Sequence, residues 1–288
     1  MPYLYLIISV FGATSSSIFG SFFNRKNADK KDASPVYSLI CLSTIFCFWL
    51  VMFLFDRTLD WSVLPYSLGF ALAFASCALA TVYALQTGPV VLTSLILQLS
   101  LIGTTTWGFF FWNTPFTWLV AVGLVLIVVA LWLCLYTKKE EENKISAKWL
   151  FWVSVMFVGN AACSIIQRTQ QMNYGGKYGN FLMTVAMLFA VLFCLIVYLK
   201  SDKSDTKEIV KGSWHFPVAG GVLNAVMNLC IMLLAATSLS PSLIYPVLAI
   251  GSLSVTTVFS AFVFKEKMRW WQWVGVAVGA VAVALLSI

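Results

Sequence analysis

Residues 89–111 read PVVLTSLILQLSLIGTTTWGFFF, and residues 241–263 read PSLIYPVLAIGSLSVTTVFSAFV. Each stretch opens on a proline, places a Thr-Thr pair at the same point (Thr104-Thr105 and Thr256-Thr257) and runs 23 residues without a charge. At the same offset of 152 residues the match extends outward without a gap, Pro65–Cys134 against Pro217–Leu286, with sixteen of seventy positions identical. The identities include Pro65/Pro217, Gly69/Gly221, Pro89/Pro241, Trp118/Trp270 and Gly123/Gly275. These are residues of helix starts, close packing and interfaces. A chance likeness between apolar segments would favour interchangeable Leu and Val instead.

The composition says where such a duplicated unit resides. Hydrophobic residues make up 60% of the 288, charged residues 10%, and the mean hydropathy is +0.89, outside the soluble globular range. A bilayer-spanning helix needs about 20 mostly apolar residues. Ten segments of that kind are expected, at 2–23, 36–55, 65–86, 89–111, 116–136, 149–168, 179–199, 216–237, 241–264 and 270–287. The expected fold is all-α integral membrane, ten transmembrane helices built from two inverted five-helix repeats. The repeats are residues 1–137 and 149–288, joined by a cytoplasmic linker at 138–148. The first segment lacks a basic start and a cleavage site and reads as a retained helix. The seven cysteines all lie in apolar segments without C-x-x-C spacing, which predicts buried, inert thiols. The net charge of +7 sits in short loops, so membrane topology explains it better than nucleic acid does.

Assigning alternate loops to alternate sides puts fifteen of the eighteen Lys and Arg residues on one side and three, Arg57, Arg168 and Lys177, on the other. The basic side is then cytoplasmic and both termini lie outside. With five helices, an odd number, in each copy, the second copy enters the membrane from the opposite side. The loop charges agree: Asn113, Pro115 and Thr117 align with Lys265, Lys267 and Arg269.

The stretch Pro241-Ser-Leu-Ile-Tyr-Pro246, followed by Phe264-Lys-Glu-Lys-Met-Arg and then Gly275 and Gly279, resembles the drug/metabolite transporter superfamily, and within it the ten-helix EamA-type transporters. The first repeat departs from this pattern with Thr114 where the second has Glu266. The resemblance implies transport of a small metabolite or drug and leaves the substrate open.

All eleven acidic residues lie at segment ends or in loops. An intramembrane carboxylate is the usual device for proton coupling and for binding lipophilic cations. Its absence favours a neutral, polar or zwitterionic substrate held by hydrogen bonds. The polar residues that do reach mid-membrane are the cavity candidates: Asn224 and Asn228 on the eighth segment, four apart and on one face; Asn160, Ser164 and Gln167 on the sixth; Gln98 on the fourth; Ser17 on the first; and Tyr245 beside Pro246 on the ninth. The aligned partners of Asn224 and Asn228 are Leu72 and Ser76, so that polarity belongs to one repeat. Each candidate has a competing reading as interhelical glue. Ser9, Gly12, Ser16 and Gly20 at small-residue spacing read as a packing face. Arg168, at the end of the sixth segment, either snorkels to the interface or holds a substrate carboxylate. His215 reads as solvated, and Trp61, Trp112, Trp149, Trp152, Trp214, Trp270, Trp271 and Trp273 as an interfacial belt.

The expected function is a permease of the cell membrane, with alternating access of the two repeats around a cavity bounded by segments 1, 3, 4, 6, 8 and 9, and segments 5 and 10 bracing it. The alternative is a multidrug exporter of lipophilic cations attracted by aromatics. An integral membrane enzyme would need clustered Asp, Glu or His at an interface, and this chain offers one histidine and a single carboxylate cluster, Glu140 to Glu142, which sits among lysines in a loop. The expected partners are a small-molecule metabolite and the lipid bilayer, with no nucleic acid and no cofactor, for a monomer or homodimer.

Overall fold

The computed structural model describes residues 2–27, 29–30, 32–87, 90–135, 146–263 and 269–286. Pro89, most of the 138–148 linker, Lys265, Glu266 and Lys267 fall outside the described residues. The described chain is all-helical: α1 Pro2–Lys26, α2 Ala33–Asp56, a 3₁₀ turn Trp61–Val63, α3 Leu64–Thr87, α4 Val90–Phe111, α5 Trp118–Leu135, α6 Ala147–Asn173, α7 Gly179–Leu199, α8 Thr206–Ser213, α9 His215–Ala235, α10 Pro241–Val263 and α11 Trp270–Leu286. Every apolar segment is answered by a helix. Among the described residues six are long and apolar enough to cross a bilayer, and shorter apolar stretches lie in the others, at Ile96–Phe111, Trp118–Cys134, Pro241–Thr256 and Trp270–Leu286. The repeat is visible in the helix starts: α5 begins at Trp118 and α11 at Trp270, at the 152-residue offset. Pro246 lies inside α10, which runs unbroken across it.

The chain divides into two compact units, each drawing on both repeats: Met1–Ala71 with Gln167–Ala236, and Leu72–Ile166 with Thr237–Ile288. In the first, α1 lays its small-residue face on α9. A β-carbon at Gly12 would stand 3.0 Å from Met227 Cβ and 3.1 Å from the Leu223 carbonyl, while the Ser16 hydroxyl donates to the Gly220 carbonyl at 3.1 Å. The packing-face reading of helix 1 holds for Gly12 and Ser16 against α9, while Gly20 faces Tyr37 of α2. Thr184 on α7 donates to the Trp49 carbonyl on α2 at 2.9 Å. At one end Asp60 caps the 3₁₀ turn by accepting from both the hydroxyl and the N–H of Ser62, which holds its carboxyl below the usual range.

In the second unit, Ala80 and Ala84 of α3 pack with Trp149, Val153 and Met156 of α6. Gly159 brings α6 onto the backbone of α3, where a β-carbon would meet the Ala73 carbonyl at 2.9 Å. The α5·α11 seam is reciprocal. Gly123 faces Ala282 and Leu286, and Gly275 faces Ala130 and Cys134, each set being the other's repeat equivalent. The start of each helix thus meets the end of the other, so the two run antiparallel. Ile127, Ala130, Leu131, Ile250, Ala282 and Leu286 form the core around them.

Two expectations are corrected. Trp149 is not in an interfacial belt: it is buried, 3% exposed, and its indole N–H donates to Thr93 Oγ1 at 3.0 Å. The thiols are all free, but they are not uniformly buried, since Cys47 is exposed on α2.

Candidate functional site

The polar candidates fall into two groups, one in each unit. In the first unit Asn224 and Asn228 stand one turn apart on α9, both half-buried. The Asn228 amide donates to the Asn224 side-chain oxygen and to its backbone carbonyl, each at 3.0 Å. The second of these bonds folds the side chain back along the helix. It leaves the Asn224 amide N–H₂ as donor and the Asn228 side-chain oxygen as acceptor without a protein partner among the described residues. Gln167, 4% exposed, reaches from α6 to the Asn228 backbone carbonyl at a long 3.5 Å. Gln167 thus meets the backbone of α9 at Asn228, next to a pair that the sequence spacing predicts but cannot connect to α6.

Arg168 follows directly and requires a correction. It is not at a helix end: α6 continues five residues further, to Asn173, and Arg168 is 6% exposed. A snorkelling side chain would keep its guanidinium in contact with the interface. The polar tail of α6 is accommodated inside the protein: Gln170 and Gln171 are buried, Gln170 donates to the Lys177 carbonyl at 2.8 Å and Gln171 to the Gln170 side-chain oxygen.

In the second unit, Asn160 donates to Ser100 Oγ on α4 at 2.6 Å and, at 3.5 Å, to the Leu97 carbonyl. Ser164 offers its backbone carbonyl to the Tyr245 hydroxyl at 3.4 Å, and Tyr245 is buried on α10. These bonds tie α6 to α4 and α10, which fits the interhelical role each residue also had. Gln98 is half-buried on α4. The side chain of Ser17 lies outside the described residues. His215 begins α9, exposed and against the Phe216 ring at 4.2 Å between centroids.

Apolar helices whose interior polarity is carboxamide and hydroxyl, with the carboxylates kept to helix ends and loops, are the construction of a polytopic membrane protein. Residues 147–288 match the EamA-like transporter family. Those residues therefore carry an EamA-like transporter domain, and the apolar helices are those of a multi-pass membrane protein. The matched half contains the second copy of the internal repeat. In fold, the chain is similar to a solved crystal structure with a TM-score of 0.77 at 8% identity, covering 99% of this chain and 95% of that one. No curated protein matches the sequence.

Proposed function

We propose that the protein moves a small polar or zwitterionic metabolite across the cell membrane by alternating access of two inverted five-helix repeats, ten spans in all. The observation that carries the substrate class is the Asn224–Asn228 pair, which presents one free donor and one free acceptor side by side on half-buried side chains. Such a pair matches an amide, hydroxyl or zwitterionic group and gives a bare cation no counter-charge. The inverted arrangement is supported by the α5·α11 seam. Equivalent helices that meet antiparallel through exchanged contacts are related by a two-fold across their axes, the axis an inverted duplication requires.

The test is uptake of labelled metabolites into proteoliposomes. Asn224→Ala with Asn228→Ala is expected to cut flux about tenfold or more, since each lost hydrogen bond to a ligand is worth roughly 1 kcal/mol and leaves a polar group unpaired. Thermal stability should change little. Wild-type flux in the double variant would remove the pair from the site.

The orientation proposed, termini outside and basic loops cytoplasmic, has its own check. Asp29 and Lys203 are exposed, and a cysteine at either position in a Cys47→Ser background is expected to resist a membrane-impermeant thiol reagent on intact cells and to react after permeabilisation. Labelling of intact cells would reverse the assignment.

A further inference from the structure

We propose that α8 is a membrane-surface anchor whose outer face docks on the anionic headgroups of the leaflet bordering the basic loops. The segment between α7 and α9 reads in sequence as a charged loop, yet residues 206–213 form a helix seated on the ends of α1 and α2. Ile209 and Ser213 point inward and are buried, Ile209 packing with Phe23, Ala33 and Val36. Four polar contacts hold the helix in place. Lys26 donates to the Gly212 carbonyl at 2.7 Å, Asn27 to Ser213 Oγ at 3.2 Å, and the Asp32 carboxylate accepts from the Asp205 N–H at 3.2 Å and from Thr206 Oγ1 at 3.4 Å.

This docking decides what the other face shows. At 100° per residue, Val210, Trp214, Lys207 and Lys211 occupy one continuous outward arc. Val210 is 38% and Trp214 53% exposed, and both lysines are exposed. No carboxylate shares the arc. The one acidic residue inside α8, Glu208, points aside and is paired with Lys30 at 2.7 Å. An indole and an aliphatic side chain beside two lysines, on a helix joining two bilayer-length helices, is the chemistry of a headgroup-level contact: the apolar pair enters the interface and the ammonium groups meet phosphates. Because α8 is bonded to both α1 and α2, the contact would also fix the ends of those helices relative to the leaflet. The proposal is independent of which solute is carried.

The experiment is hydrogen–deuterium exchange of the full-length protein in nanodiscs of phosphatidylcholine, with and without about 30% phosphatidylglycerol, where each lysine near such a surface contributes about fivefold in affinity. Anionic lipid is expected to slow amide exchange across residues 206–214, and salt raised to about 0.5 M should reverse the slowing. Lys207→Gln with Lys211→Gln should abolish it, while exchange at the inward contacts around Phe23 and Val36 stays as in the wild type. Equal exchange in the two nanodiscs would overturn the proposal. So would slowing that survives in the double variant, or slowing reproduced by inorganic phosphate with phosphatidylcholine alone.

Discussion

Gly275→Leu will leave little folded protein, and Gly275→Ala will lose about 1–3 kcal/mol of stability, the range of an overpacked site that cannot relax. A β-carbon at position 275 would lie 2.8 Å from Cys134 Sγ, 2.9 Å from Cys134 N and 3.0 Å from the Ala130 carbonyl. Two of those three atoms are backbone of α5, so relief demands that one helix move off the other. The repeat-equivalent Gly123 meets a different obstacle. Its nearest neighbours would be Cδ2 and Cγ of Leu286, both at 2.8 Å and both side-chain atoms. A side chain yields more readily than a facing backbone, and alanine in a helix gains up to about 1 kcal/mol over glycine. Gly123→Ala is therefore expected to be near neutral. Thermal unfolding of the purified variants in detergent checks the pair. Equal losses at both positions would mean that the facing backbone at Gly275 is no harder an obstacle than the Leu286 side chain at Gly123.

That contrast also shows how far the sequence reaches. The duplication was legible as Gly69/Gly221 and Gly123/Gly275, because small residues at helix contacts cannot be exchanged freely. Which equivalent faces which was not legible, since identity at a fixed offset carries no information about partners in space. The carboxamides of α9 were legible as a pair by their spacing, and the structure adds Gln167, whose partner lies 61 residues away. The end of α6 was misplaced because hydropathy falls at Gln167-Arg168-Thr169-Gln170-Gln171, and a scale that prices polar groups as solvated cannot see that Gln170 and Gln171 are bonded to the protein itself. Trp149 was misread for the same reason in reverse: a tryptophan near a segment end is usually interfacial, and only the Thr93 hydroxyl within reach makes burial affordable. Helix α8 escaped notice because eight residues hold a single inward aliphatic position, Ile209, too little periodicity to separate a helix from a charged loop.

Wild-type transport will be nearly independent of pH between about 5 and 8, and Asn224→Asp will make it steeply dependent. The expectation follows from the titratable inventory on the membrane segments. The eleven carboxylates lie at segment ends or in loops, and the single histidine, His215, is exposed at the start of α9, so none of these groups belongs to the mid-membrane stretches of the sequence. An aspartate at position 224 would be half-buried among Asn228 and apolar side chains of α9. Desolvation raises a carboxyl above its ordinary value of about 3.9. Below the raised value the side chain is a neutral acid with one donor and one acceptor, which reproduces most of what the carboxamide presents. Above it the group is an anion that donates nothing, and a neutral or zwitterionic solute loses its hydrogen bond from position 224. Flux in Asn224→Asp should therefore stand near wild type at about pH 5 and fall about tenfold by about pH 8. Uptake into proteoliposomes buffered equally inside and out separates this from any effect of a proton gradient. A flat profile in the variant would mean that position 224 does not face the solute, whatever the fate of the double alanine variant. A steep profile in the wild type would sink the reading that no interior group titrates.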